Sequence, residues 1–257
     1  MTELRAERHV IKHSDPMYSL IKNFCRASKN LYNQANYLVR QTFLKENIWL
    51  RYETLDKQLK RNLEYPDYKS MPTAQSAQQT LRMLDSSWKS FFKAIKDWKK
   101  HPEKYLGRPK LPKYLKKDGY YVLTLTNQNC HIKDRLLQFP KAFEGFSIQP
   151  VFLSDERFVS FQQVRFLPEN DHITAELVYK IQIPDEKPDN RRYISIDIGV
   201  NNLAAVANNF GGQPFIVNGR PLKSVNQYAN KEIAHYQSVL KKANDRHTSK
   251  RLDKIMA

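Results

Sequence analysis

Cysteine is almost missing from these 257 residues, with Cys25 and Cys130 the only two. They stand far apart, form no CxxC pair, and the seven histidines are scattered, so neither a disulfide framework nor a zinc site is expected. Long apolar runs are missing as well. No stretch approaches the roughly 18 residues that a membrane span needs, and no signal peptide opens the chain. The expectation is a cytoplasmic protein with no membrane partner. Acidic residues are the third deficit: 26 Asp and Glu stand against 43 Lys and Arg, a net charge of +17. So large a surplus points to a polyanionic partner. Nucleic acid comes before an anionic membrane, because no basic amphipathic segment stands apart from a domain pattern.

What is present suffices for real cores. At 40% apolar and 12% aromatic residues, the chain can fill one large or two to three small domains. "ELRAERHVIK" (3–12) reads as a lone strand. Leu20, Phe24, Ala27, Leu31, Ala35 and Leu38 recur at spacings of three and four, which predicts a helix after Pro16. A second helix is predicted from Ala77, Leu81, Leu84, Trp88, Phe91, Ile95 and Trp98, with Pro72 and Thr73 at its entrance and the aromatic stripe read as packing. Between 105 and 190 the period changes to two. "YYVLTLT" (120–126) and "ITAELVYKIQI" (173–183) alternate, the latter placing Ile173, Ala175, Leu177, Tyr179, Ile181 and Ile183 on one face. "RLLQFP" and "RFVSFQQVRF" read the same way, giving a small antiparallel barrel or sandwich.

"IPDEKPDNRR" (183–192) has the composition of a linker and sets a boundary near 190. Beyond it "RYISIDIG", "NNLAAVAN" and "QPFIVNG" read as three strands. A helix follows with Leu222, Val225, Ala229, Ile233, Tyr236, Leu240 and Ala243 on one stripe.

Asp197 stands out in that third region. Ile194, Ile196 and Ile198 share one face of a strand expected to be buried, which leaves Asp197 on the other beside Ser195. A buried carboxylate must be paired, protonated or metal-bound. Gly199 permits a turn, and Ala204, Ala205 and Ala207 leave room. On these residues alone a salt-bridged structural aspartate and a metal ligand both stay open. Two families fit such a strand: ribonuclease-H-like nucleases, in which the first-strand Asp binds Mg²⁺, and actin-like ATPases, which need far more chain than residues 200–257 provide.

"YISIDIGVNNLAAVANN" followed by "PFIVNGRPLKSVNQYANKEIAHYQSVLKK" resembles the first RuvC segment of the TnpB family, transposon-encoded relatives of type V CRISPR nucleases. Upstream, "FCRASKNLYNQANYLVRQTF" (24–43), "AQQTLRMLDSSWKSFFKAIKDW" (77–98), "GRPKLPKY" (107–114) and "NQNCHIKDRLLQFPK" (127–141) resemble further family blocks in order. The resemblance implies an α+β, multi-domain fold. A wedge-type β-barrel would contribute its first strand from 1–15 and the remainder from 105–190, split by a helical recognition domain at 16–104. An incomplete RuvC domain would occupy 191–257. It implies an RNA-guided DNA endonuclease, with guide RNA and target double-stranded DNA as partners and Mg²⁺ as cofactor. Asp197 carries over as the first catalytic, metal-binding aspartate. The family's catalytic Glu, second Asp and zinc finger do not match anything in this sequence. The expectation is therefore an N-terminal portion, inactive alone and completed by a C-terminal half or second subunit, or else an RNA-guided DNA-binding protein that does not cut. Glu232 is read as a helix-surface residue.

The densest charge runs from Lys89 to Lys117, where eleven Lys or Arg face only Asp97 and Glu103. Lys89, Lys93, Lys96 and Lys100 fall at helical spacing opposite the aromatic stripe. Lys104, Arg108, Lys110, Lys113, Lys116 and Lys117 continue the run past Pro109 and Pro112, which stiffen it. These ten residues are the expected nucleic-acid contacts, neutralising backbone phosphates with little sequence preference. Tyr105, Tyr114, Tyr120 and Tyr121 are interleaved and read either as stacking platforms for unpaired bases or as strand residues.

Overall fold

A computed structural model describes residues 1–61, 66–183, 189–244 and 248–256. The chain divides into two compact units, Met1–Ile183 and Pro184–Ala257. Of the stretch read as a linker, residues 184–188 lie outside the described residues, as do 245–247 and Ala257 of the basic tail.

In the first unit, strand β1 (Thr2–Lys12) pairs antiparallel with β7 (His172–Gln182) along its whole length, from Thr2 opposite Gln182 to Lys12 opposite His172. β7 pairs on its other side with β6 (Phe158–Pro168), and β6 with β2 (Leu123–Thr126). The lone strand of the sequence is thus the edge of a four-stranded sheet in the order β1-β7-β6-β2. Period two works as expected in β7: Ile173, Ala175, Leu177 and Ile181 are buried on one face. The opposite face carries Glu176, only 4% exposed, with Arg8 from β1 and Arg165 from β6 paired to its two oxygens. A second sheet joins β3 (His131–Lys133), β4 (Leu136–Gln138) and β5 (Ser147–Ile148). Among the described residues no strand pairing closes either sheet into a barrel.

Two long helices pack on the inner face. α1 (Tyr18–Glu46) buries Ile21, Cys25, Leu31, Ala35 and Val39 at helical spacing. α3 (Ala74–Lys100) opens with a capping box, in which Thr73 accepts from the Ser76 N–H and Ser76 in turn accepts from the Thr73 N–H. It buries Ala77, Leu81, Leu84 and Trp88. Trp88 meets Phe43, Phe91 and Phe92, so the front of the aromatic stripe packs as expected, while Trp98 near the end of the helix stays half-buried. A short helix α2 (Tyr52–Arg61), which the sequence reading passed over, inserts Leu55 and Leu59.

The second unit holds an antiparallel sheet β10-β9-β8 from β8 (Ile194–Asp197), β9 (Asn202–Asn208) and β10 (Phe215–Asn218), then α4 (Arg220–Asn244) and α5 (Lys250–Met256). Three strands and a helix stand where the periodicity put them, but the expected burial does not occur. Ile194 is 60% exposed, Ile196 58% and Ile198 78%, and Leu222 and Val225 of the α4 stripe are exposed too. β8 is an edge strand of a three-stranded sheet, and too little chain lies over its faces to cover them.

Candidate nucleic-acid interface and the Asp197 strand

All ten basic residues singled out in the sequence are exposed. They do not form one surface. At about 100° per residue, Lys89, Lys93, Lys96 and Lys100 lie roughly 140° around α3 from Ser87, Ser90, Phe91 and Ala94. The latter stripe lines a cleft against residues 109–113. The basic run is therefore two banks, a helical row and an extended segment.

α3 ends in a pinned turn. The Tyr105 hydroxyl donates to Asp97 Oδ2 at 2.7 Å, and that bond, with nearby Lys104, His101 and Lys100, holds the Asp97 carboxyl below its usual range. Asp97 thus acts on the exit of the helix, with Lys104 in the turn behind it.

The extended segment is strapped to α1 by one polar stripe. Lys29, Asn33, Asn36 and Arg40 recur at spacings of four, three and four. Lys29, almost fully buried, donates to the Lys117 carbonyl at 2.7 Å. Asn33 pairs with Leu115 as a strand neighbour would, donating to its carbonyl at 2.9 Å and accepting from its N–H at 2.7 Å. Asn36, fully buried, donates to the carbonyls of Pro112 (3.1 Å) and Lys113 (3.4 Å) while accepting from Trp88 Nε1 at 3.0 Å. Arg40 adds a bond to the Pro112 carbonyl at 3.3 Å. Backbone groups that no strand satisfies are met by side chains, so residues 112–116 run outside any helix or sheet and end in a turn at Lys117, where the Gly119 N–H bonds the Lys116 carbonyl at 3.1 Å. Lys110, Lys113, Lys116 and Lys117 are brought together on this segment with Arg108 ahead of them, and all stay in solvent.

The tyrosines are mostly engaged. Tyr120 carries Lys22 and Arg26 over its ring at 5.0 and 5.3 Å and accepts from Arg26 at 3.0 Å. Tyr121 packs on Tyr32, and burial pushes its hydroxyl up to about 12. Tyr114 is 45% exposed with the Arg40 guanidinium 4.9 Å from its ring centre. Tyr105, Tyr120 and Tyr121 are thus spoken for by protein groups, and none of the four lies in a strand. Sequence reasoning missed Lys22, Arg26, Lys29, Asn33, Asn36 and Arg40. Their signal was present in part: Lys29, Asn33, Asn36 and Arg40 recur at helical spacing beside the apolar stripe.

In the second unit Asp197 stands opposite Ala205 at the end of β8, on the sheet face that also carries Ser195 and Ala207. The turn after it is held tightly. A Cβ on Gly219 would meet the Leu203 nitrogen and the Val200 oxygen at 3.0 Å, so a larger residue there would push the neighbouring backbone aside by a few tenths of an ångström. The Gly219 N–H bonds the Asn201 carbonyl at 2.9 Å, and Lys223 Nζ reaches Asn201 Oδ1 at 3.0 Å. Asp197 itself is exposed and, among the described residues, locked to no arginine or lysine. Burial therefore does not force a cation on it, contrary to expectation. Among the described residues no group of three or more His, Cys, Asp or Glu could hold a metal. Magnesium asks for a near-octahedral oxygen shell, so one carboxylate does not make its site and no cleavage step is assigned to these residues. Glu232, half-buried, lines a cleft between α4 and α5 with Lys250, Arg251 and Lys254.

The model of a transposon family, OrfB_IS605, described as "Probable transposase", matches residues 176–257. The likeness to that transposon family is confined to this last third of the chain. The match begins within β7 and takes in the whole second unit, Asp197 included. No curated protein matches. Several solved structures are similar, two of them CRISPR effector complexes. One is a cryo-EM structure of a Cas12f1–sgRNA–target DNA complex, at 14% identity and TM-score 0.33, covering 94% of this chain and 63% of that one. The other is a CRISPR-Cas12f ternary complex, at 13% identity and TM-score 0.39, covering 91% and 55%. The chain thus spans less than two thirds of either. Among the described residues no helix is long and apolar enough to cross a membrane.

Proposed function

We propose that the chain works as part of an RNA-guided DNA endonuclease of the TnpB type. The first unit would hold guide RNA and target DNA as its wedge and recognition parts, and the second would supply Asp197 as the first RuvC carboxylate. The observation that carries this reading is the strapped basic segment. A lysine run that is merely solvated does not require a buried lysine, two asparagines and an arginine to fix its backbone. Holding the backbone that carries four lysines in one arrangement lowers the entropy lost when phosphates arrive, and each phosphate neutralised releases counterions. Contacts of that kind position a polyanion without reading its sequence, which suits a protein whose specificity comes from a base-paired guide.

Cleavage would need Asp197 together with carboxylates from outside the described residues, since two-metal hydrolysis clamps both the attacking and the leaving oxygen. The lone Asp197 favours a second reading, an RNA-guided DNA-binding protein that does not cut. Sequencing the RNA that co-purifies with the chain tests the shared part: one discrete structured RNA is expected, and recovery of bulk cellular RNA alone would count against guidance. Supplied with the missing carboxylates on a second polypeptide, the chain should cut in a metal-dependent way under the first reading and lose that cleavage with Asp197→Ala; under the second it cuts in neither form, and DNA occupancy is untouched in both.

A further inference from the structure

The cleft between α3 and the strapped segment is an open groove with one partly apolar wall and one cationic wall. Its volume is about 500 Å³, within the range of roughly 300–1,000 Å³ found for small-molecule pockets. Phe91, Ala94 and Ser90 line one wall, and Pro112, Lys110 and Lys113 the other. One wall thus offers an aromatic ring, a small residue and a hydroxyl; the other offers a flat ring and two ammonium groups in solvent. Tyr32 at the cleft is buried, its hydroxyl bonded to Ser87, which itself donates to the Met83 carbonyl at 3.0 Å. The floor is therefore settled protein structure, and the opening lies between an apolar wall and a cationic one.

Each feature taken singly is ordinary. Together they match one ligand chemistry: a flat, apolar-faced ring joined to an anion. We infer that this cleft receives a single unpaired nucleotide, its base against Phe91 and Ala94 and its flanking phosphates on Lys110 and Lys113. The inference rests on the nucleic-acid reading above and deepens it by separating two binding modes: a phosphate track along 113–117, and one base held at its start. Of the tyrosines that sequence suggested for stacking, Tyr105, Tyr120 and Tyr121 are taken by protein contacts and Tyr114 lies outside the cleft under Arg40; at the cleft itself Phe91, edge-on to Trp88, and the proline wall form the apolar surface next to the lysines. The strap sets the width of the cleft, because Asn36 and Arg40 fix the Pro112 carbonyl.

The test compares single-stranded oligonucleotides with otherwise identical strands carrying one abasic site at successive positions, as RNA and as DNA, bound to the full chain. At one position the abasic strand should bind about tenfold more weakly, the scale of one lost base–aromatic stack. Ala94→Phe, which fills the cleft, should erase that difference while leaving the salt dependence intact, and Ser90→Asp, which sets a negative charge at its mouth, should do the same should Ala94→Phe fold poorly. The RNA and DNA arms identify which strand supplies the base. If strands bind with a steep salt dependence but no abasic position matters, the nucleotide site falls and the phosphate track stands. If no strand binds at all, both fall.

Discussion

Asn33→Ala should open the basic segment without unfolding the protein. Asn33 makes two hydrogen bonds to Leu115, at 2.9 and 2.7 Å, and touches the segment at the middle of its strap. At about 0.5–1.5 kcal/mol net for each bond, their loss weakens the closed state by roughly 1–3 kcal/mol. That raises the open population about 5- to 150-fold. Brief tryptic digestion reads this directly, because the segment carries cleavable bonds after Lys110, Lys113, Lys116 and Lys117. Cleavage follows the open population when opening and reclosing are fast. The variant should therefore be cut within 110–117 at least about fivefold faster than the parent protein, while cleavage elsewhere is unchanged. Cutting at the parental rate would show that the asparagine does not hold the segment, and equal acceleration at every site would show that it merely supports the whole fold.

Trp88→Ala removes a fully buried ring and leaves the Asn36 carbonyl oxygen without its donor, so the denaturation midpoint should fall by the equivalent of about 3–5 kcal/mol, and a loss under about 1 kcal/mol would contradict the packing described. Cys25 and Cys130 are buried, which pushes both thiols up to about 12, so alkylation of the native protein should be far slower than that of the urea-unfolded chain. The same burial has a sign in pH. These groups are neutral in both states below their ordinary value of 9.0, so their contribution is fully present there and is lost as pH climbs from about 9 through 12, when only the unfolded chain ionises freely. Stability measured by urea titration should fall above about pH 9.5 relative to its value near pH 8, and a rise across that interval would refute the assignment. In the second unit Ile194, Ile196, Phe215 and Val217 share one exposed sheet face, and Ile196→Lys should reduce binding of a hydrophobic dye and concentration-dependent association; no change in either would show that the patch is not sticky.

Much of the fold was legible because its helices and long strands obey clean periods. The spacing of Leu81, Leu84 and Trp88 specifies α3, and the alternation of Ile173, Ala175 and Leu177 specifies the buried face of β7. What the chain alone could not show was partnership across distance. Nothing local says that β1 pairs with a strand some 170 residues on, or that Asn33 substitutes for a strand neighbour of Leu115. Charge density was visible from Lys89 to Lys117, but its division into two banks depends on helix phase and on the turn that Tyr105 and Asp97 lock. Burial of Asp197 was inferred from isoleucines that the structure leaves in solvent, because apolar alternation reports a strand's two faces and not what covers them.

The most direct measurement is the salt dependence of nucleic-acid binding by the intact chain and by a variant with Lys110, Lys113, Lys116 and Lys117 all changed to Ala. If these four side chains sit on phosphates, the slope of log affinity against log salt for a single strand should flatten by about 3, four contacts at roughly 0.7 each. An equivalent change of Lys89, Lys93, Lys96 and Lys100 reports separately on the helical bank. A slope that stays the same when the strapped lysines are gone would contradict the claim that this segment is built to receive a polyanion.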